Sequence, residues 1–254
     1  MILEQFRLDG KTALVTGAAT GLGAAIAVAL AEAGADVVCH ANRRDAEDVC
    51  QRIEALGRRA VRAHGDLGIP ATAKQLFDAA LDGLGSIDIL VNNAGTIRRA
   101  PTVSHSEHDW SQTIETNLSS VFRLSQCAGR WMIENQRPGK IVNIASLLAF
   151  QGGVNVAAYA ASKGGVAQLT KALANEWAPK SINVNAITPG YINTTNTAAL
   201  RADETRNRQI LERIPARRWG EPSDIAGAAV FLCSAASDYV NGHVLVVDGG
   251  WMGR

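Results

Sequence analysis

Cysteine is scarce and unpatterned. There are four in 254 residues, and no two form a C-x-x-C pair. Cys39, Cys50, Cys127 and Cys233 each fall in a stretch that reads as buried strand or helix. Reduced core thiols in a cytoplasmic protein are therefore expected rather than a disulfide framework, and no metal ligands are expected. No apolar run approaches the roughly 20 residues that a bilayer-spanning helix needs. The first six residues, Met1 to Phe6, carry an acid and no basic segment, which does not read as a secretory signal. Neither sign of charge is in excess. A formal net charge of +1 gives no pull towards nucleic acid or a membrane surface. Linkers, low-complexity tracts and sequence repeats are also missing. What remains is 47% hydrophobic and 19% charged, the composition of a globular chain. At this length one α/β domain over 1–254 is expected, not two small ones.

Apolar strands alternate with runs of helix formers along the whole chain. Lys11–Thr16 reads as a strand, Gly17-Ala18-Ala19-Thr20-Gly21-Leu22-Gly23 as a glycine turn, Ala24–Ala33 as a helix and Asp36–His40 as a second strand. A glycine turn feeding a helix start offers free backbone N–H groups and the positive end of the helix dipole to a phosphate. Gly17, Thr20, Gly21, Leu22 and Gly23 are thus candidate dinucleotide ligands. The next cofactor position lies at the end of the second strand, where an acid would take a ribose 2′-hydroxyl. The segment reads His40-Ala41-Asn42-Arg43-Arg44, with no acid. Asn42 and Arg43 are candidates there. Arg43 or Arg44 either receives a 2′-phosphate or is solvated at a helix start.

Asp66 and Leu67 follow a third strand. Asp66 either accepts from an adenine amino group or closes a turn. After a fourth strand, Ile87–Val91, comes Asn92-Asn93-Ala94-Gly95. Two amides satisfy the loop's own backbone there, while Ala94 and Gly95 leave room for a flat ring. Arg98 and Arg99 come directly afterwards, as a carboxylate clamp or a solvated basic pair. Asn117 sits inside a predicted helix running from Glu107 to about Glu134, where an amide is at best neutral for helix propensity. Ser146 ends a fifth strand, and Gln151 lies in the loop beyond it. A sixth strand, Ile182–Ile187, leads to Thr188-Pro189-Gly190-Tyr191-Ile192-Asn193-Thr194. The arginine-rich stretch from about 193 to 220 reads as a lid inserted before the helix Pro222–Ser234. Val244–Val247 is a last strand.

Tyr159 and Lys163 lie four residues apart on one predicted helix, so they project from one face. An ammonium beside a phenol favours the phenolate, bringing a group of reference pKa about 10 towards useful proton chemistry. Alone the spacing says little. After a hydroxyl at a strand's carboxyl end, it lies where open parallel sheets bind ligands.

Taken in order, TGxxxGxG at Thr16–Gly23, Asp66-Leu67, NNAG at Asn92–Gly95, Asn117, Ser146, YxxxK at Tyr159–Lys163 and Pro189-Gly190 resemble the short-chain dehydrogenase/reductase family over essentially the whole chain. The resemblance implies an α/β Rossmann-type doubly wound parallel sheet of about seven strands between two helical layers. It implies a catalytic tetrad of Asn117, Ser146, Tyr159 and Lys163, with Tyr159 exchanging a proton with the substrate oxygen and Ser146 hydrogen-bonding it. Lys163 would lower the Tyr159 pKa and hold the nicotinamide ribose, and Asn117 would hold a water leading to solvent. Asn93, Ala94, Gly95, Pro189, Gly190, Ile192 and Thr194 would line the rest of an NAD(H) or NADP(H) site, the choice between the two being open. A cytoplasmic homotetramer, joined by the helix Ala157–Trp177 and the C-terminal strand and tail, is also implied.

A narrower resemblance rests on Asn92–Arg99, Phe150–Gly153, Leu200–Glu204, Ile214–Gly220 and the closing Asp248-Gly249-Gly250-Trp251. These look like the members that act on deoxy-ketohexonates, the 2-dehydro-3-deoxy-D-gluconate 5-dehydrogenases. A keto sugar acid is then the expected partner, met by Arg98, Arg99, Ser146, Gln151 and Tyr159. Gluconate 5-dehydrogenase and 3-oxoacyl reductase are the alternatives within the family, and a non-catalytic dinucleotide sensor the alternative outside catalysis. Replacement of Tyr159 by Phe is expected to lower turnover by about 100-fold or more while dinucleotide affinity, read by fluorescence titration, stays near wild type.

Overall fold

The computed structural model describes residues 1–254. Seven strands form one parallel sheet: β1 (Thr12–Val15), β2 (Asp36–Ala41), β3 (Ala60–His64), β4 (Ile89–Asn92), β5 (Gly139–Ile144), β6 (Ile182–Pro189) and β7 (Val244–Val247), in the order β3-β2-β1-β4-β5-β6-β7. The chain therefore winds outward in one direction from β1, then returns and winds outward from β4. Every crossover is long enough to hold a helix, as parallel pairing requires. The reversal between β1 and β4 opens a crevice at their carboxyl ends, where Val15 pairs with Val91.

Burial on both faces explains why the strands read as unbroken apolar runs. On one face Ala13, Val15, Val37 and Cys39 pack with Ile26 and Leu30 of α1 (Gly21–Glu32), and with Ile225 and Leu232 of α9 (Pro222–Cys233). On the other, Leu14, Val38, Leu90 and Ile141 pack with Leu76 and Phe77 of α3 (Thr72–Leu84), Leu124 and Met132 of α5 (Ser120–Glu134), and Leu173 of α6 (Ala157–Trp177). Helix α2 (Glu47–Ala55) sits between β2 and β3 in the chain.

The helix expected from Glu107 to Glu134 is not uniform. It runs as α4 (Glu107–Ile114), a π turn (Glu115–Ser119) and α5. The π turn carries Asn117, and such bulges shift the register of a helix by one residue. Beyond β6, the chain leaves through a short excursion with α7 (Ala198–Ala202) and α8 (Glu204–Arg213). Its base is pinched. Asn193 N donates to Gly220 O at 2.7 Å and Gly220 N to Tyr191 O at 2.9 Å, across an isolated bridge between Ile192 and Gly220.

At the opposite end of the sheet, buried Asp88 ties three strand starts together. Its carboxylate accepts from Thr12 N at 3.0 Å, from Thr12 Oγ1 at 3.1 Å and from Arg137 Nη2 at 2.8 Å. Asp88→Ala leaves a buried N–H without an acceptor and is expected to cost about 2–4 kcal/mol in a urea titration. Turnover per folded molecule should be unchanged, because the change lies far from the strands' carboxyl ends.

Candidate active site

Three cavities run into one another along the carboxyl ends of the strands. The central one, about 330 Å³, is lined by Gly17, Thr20–Gly23, Asn93–Gly95, Ser146, Tyr159, Lys163, Pro189, Gly190, Ile192 and Thr194. A second, about 500 Å³, continues from Gly17 and Thr20 to Asn42, Arg43, Asp66 and Leu67. A third, about 580 Å³, opens on the other side and shares Ser146, Tyr159, Pro189 and Gly190 with the first. The sequence's candidate residues thus divide along a single cleft, with Ser146 and Tyr159 at a junction.

The glycine turn is built for close approach. Gly17 and Gly21 have φ of +66° and +58°, which side chains with a Cβ rarely adopt. A Cβ on Gly23 would run into the Gly17 carbonyl. Thr20 is the N-cap of α1, yet its hydroxyl makes no capping bond, so the first N–H groups of the helix remain free on the cleft side. Asn93 staples this turn to the β4 loop. Its Nδ2 donates to Thr16 O at 2.8 Å, and the N–H groups of Asn93 and Ala94 both donate to Thr16 Oγ1.

His40, to which no motif assigns a role, completes the turn. Its buried ring accepts from Gly17 N at 3.3 Å through Nδ1 and meets Gly65 O at 2.9 Å through Nε2. Burial pushes its pKa below the ordinary value, which keeps the ring neutral with the proton on Nε2. No motif signals this role, because only the register of β2 against β1 and β3 brings His40 there. Asp66 spends one oxygen on Gly68 N at 2.8 Å, so it closes its own turn while facing the second cavity.

Asn117 is fully buried in the π turn. Its Oδ1 accepts from Thr96 N at 2.8 Å, and its Nδ2 donates to Thr96 O at 2.9 Å and Ser162 Oγ at 3.1 Å. Ser162 Oγ in turn donates to Tyr159 O at 2.7 Å. The amide thereby locks the β4 loop to the start of α6.

Lys163 is buried and donates to Ile144 O at 2.6 Å, its one protein partner. Two of its three donors are left for something in the cleft. Desolvation pushes its pKa down to about 8. Tyr159 departs from the expectation that Lys163 lowers its pKa. Burial raises the hydroxyl above its usual value, and the opposing pulls come from Ser146 and Arg99. The reason is that the Lys163 ammonium turns to the Ile144 carbonyl and lies 5.7 Å from the phenol ring's centre.

Arg98 and Arg99 part company. Arg99 lines the third cavity beside Tyr159. Arg98 faces the second one, where its guanidinium lies 3.7 Å from Asp109 and 3.3 Å from Gln112 Oε1. Arg98 is therefore not part of a clamp in front of Tyr159, since consecutive residues in this extended stretch point to opposite sides. Gln151 does line the third cavity, with its Oε1 accepting from Trp251 Nε1 at 3.3 Å. Arg206 and Arg213, in sequence only part of an arginine-rich stretch, both line this cavity from α8. Their spacing of seven on one helix was the available signal.

A buried ammonium with a depressed pKa opposes folding below that value. The unfolded chain holds this proton up to about pH 10, so the penalty is relieved as pH rises from 8 towards 10. Lys163→Met should therefore raise the melting temperature at pH 7, by up to about 3 kcal/mol of stability. The advantage should shrink between pH 8 and 10 in a series of thermal melts.

A family model described as enoyl-(acyl carrier protein) reductase matches residues 17–252. The 2-dehydro-3-deoxy-D-gluconate 5-dehydrogenase of Escherichia coli (strain K12) is 52% identical, with all of both chains covered. A crystal structure from Agrobacterium tumefaciens, described as a candidate 2-deoxy-D-gluconate 3-dehydrogenase with bound NADP, is 56% identical with a TM-score of 0.92, covering 98% of this chain and 99% of its own. The gluconate 5-dehydrogenase of Burkholderia cenocepacia J2315, solved with NADP and tartrate, is 41% identical with a TM-score of 0.93 and full coverage of both chains. With these likenesses spanning sheet, cleft and tail alike, the chain belongs to the short-chain dehydrogenase/reductase family.

Proposed function

We propose that this protein is an NADP(H)-linked oxidoreductase that interconverts a secondary alcohol and a ketone on a deoxy-ketohexonate, as a 2-dehydro-3-deoxy-D-gluconate 5-dehydrogenase does. One observation carries the substrate class. The cavity in front of Tyr159 and Ser146 is lined by three arginines, Arg99, Arg206 and Arg213, and by no carboxylate. Such a cavity favours an anion.

The residues present fit a dinucleotide. Its phosphates would meet the free N–H groups of the glycine turn, and its ribose hydroxyls the spare donors of Lys163. The end of β2 supports the phosphorylated form. Asn42, Arg43 and Arg44 are exposed there, while the nearby acids Asp45 and Glu47 are engaged by Arg62. The two relatives solved with NADP agree. When bound, the nicotinamide supplies or takes the hydride.

The chain's own residues manage the proton. In reduction the Tyr159 hydroxyl donates its proton to the carbonyl oxygen, and in oxidation its phenolate accepts one from the alcohol. Ser146 Oγ donates a hydrogen bond to the same oxygen, stabilising the charge that develops. Asn117 holds the loop and helix that set these groups. Because burial raises the Tyr159 pKa, the donating form dominates at neutral pH. Reduction should therefore run well at pH 7, and oxidation should climb as pH rises.

The single domain carries residues 193–220 as a lid over the third cavity, and the chain assembles as a homotetramer. The half-exposed edge strand β7 supports that assembly, since an uncovered sheet edge invites a partner. No helix is long and apolar enough to cross a membrane.

The test is steady-state turnover of 2-dehydro-3-deoxy-gluconate with NADP+ and NAD+, and of 5-ketogluconate and a neutral ketose with NADPH and NADH. A preference of at least about tenfold for the acids is expected. Equal kcat/KM on acid and neutral substrates would remove the sugar-acid assignment, and no turnover at all would favour a dinucleotide sensor.

A further inference from the structure

The three guanidiniums of the third cavity are not equivalent. Arg99 follows β4, and its charge reaches the Tyr159 hydroxyl. Arg206 and Arg213 line the same cavity from α8, within the excursion beyond β6. Their own surroundings differ too. Arg213 lies over the Trp251 ring, 4.0 Å from its centre, so it is held in place without its hydrogen-bonding capacity being used on an acid. The Arg206 guanidinium donates to Gln209 Oε1 at 3.3 Å on the same helix and pairs with no carboxylate. Trp251 is in turn fixed by Gln151 and by Tyr191, whose ring centre is 4.6 Å away.

Chain length makes this difference chemical. In an extended six-carbon acid, C1 and C5 are four bonds apart, about 5 Å. A carboxylate on Arg99, beside Tyr159, would bring C2 or C3 to the proton donor. A carboxylate on α8 would bring a carbon remote from it. We propose that Arg206 and Arg213 hold the substrate carboxylate at the lid, and that Arg99 instead serves the hydroxyls around the reacting carbon. The site of oxidation is then set by the lid, with Arg213 held in place by the Trp251 ring. This assignment rests on the sugar-acid reading given above.

The experiment measures kcat and KM for 5-ketogluconate and for a neutral ketose of equal length, and identifies by NMR which carbon of gluconate is oxidised in the reverse direction with NADP+. Arg206→Ala and Arg213→Ala should each raise KM for the acid by about tenfold or more while leaving the neutral substrate nearly unaffected. Arg206→Lys and Arg213→Lys should recover part of the loss. Arg99→Ala should instead lower turnover of both substrates alike and preserve the preference for the acid. Loss of that preference in Arg99→Ala, with retention in both α8 variants, would overturn the assignment. A wild-type protein inactive on every sugar acid would overturn the functional reading instead, so the two failures are distinct.

Discussion

An ammonium kept out of water with a single carbonyl for a partner is the constraint on which the site depends. Lys163 has no carboxylate beside it, and Ile144 O is all that the protein supplies. Such a group persists only where surrounding structure over-determines it. Here β5 supplies the carbonyl, α6 the side chain, and the π turn the amide that locks the β4 loop over both. Gly95 leaves the remaining space open. A Cβ there would sit 3.3 Å from Asn117 Oδ1 and 3.8 Å from Lys163 Nζ. The incomplete coordination of Lys163 is thus a property of four chain segments together, and it faces the cleft that a ligand would enter.

Electrostatics divides this cleft by chemistry. The central part offers backbone N–H groups and one depressed lysine, which suit phosphates and sugar hydroxyls. The third cavity offers guanidiniums with no acid to quench them. Tyr159 and Ser146 stand where the two meet, so the proton-handling groups belong to both. The raised Tyr159 pKa follows from burial of the hydroxyl, because a poorly solvated phenolate is disfavoured.

Much of this was legible before any coordinates. Glycine turns, apolar strands and the Tyr159–Lys163 spacing are local patterns, and local patterns survive in a one-dimensional reading. A parallel sheet of about seven strands followed from the family resemblance, whereas the order of its strands is seen only in the fold. What escaped depended on register or on side-chain direction. His40 reads as one more residue of a buried strand until β1 and β3 flank it. Arg98 and Arg99 read as a pair, but adjacent residues in extended chain face opposite ways. Asn117 looked misplaced in a helix because the π turn that accommodates it has no sequence signature of its own. Arg206 and Arg213 were visible as charge, yet their target is set by how α8 lies against Trp251, at the far end of the chain.

The pinch between Ile192 and Gly220 carries a consequence for descent. Both ends of the excursion leave the sheet at one point, so the loop is already closed where it joins the scaffold. Changes in its length or content leave the strands undisturbed, since the entropy of a closed loop grows only slowly with its size. Tyr159, Lys163 and the glycine turn stay fixed while the arginines above them are free to be exchanged. Substrate range and hydride chemistry are thereby heritable as separate modules, and one scaffold can diversify its diet without relearning its reaction.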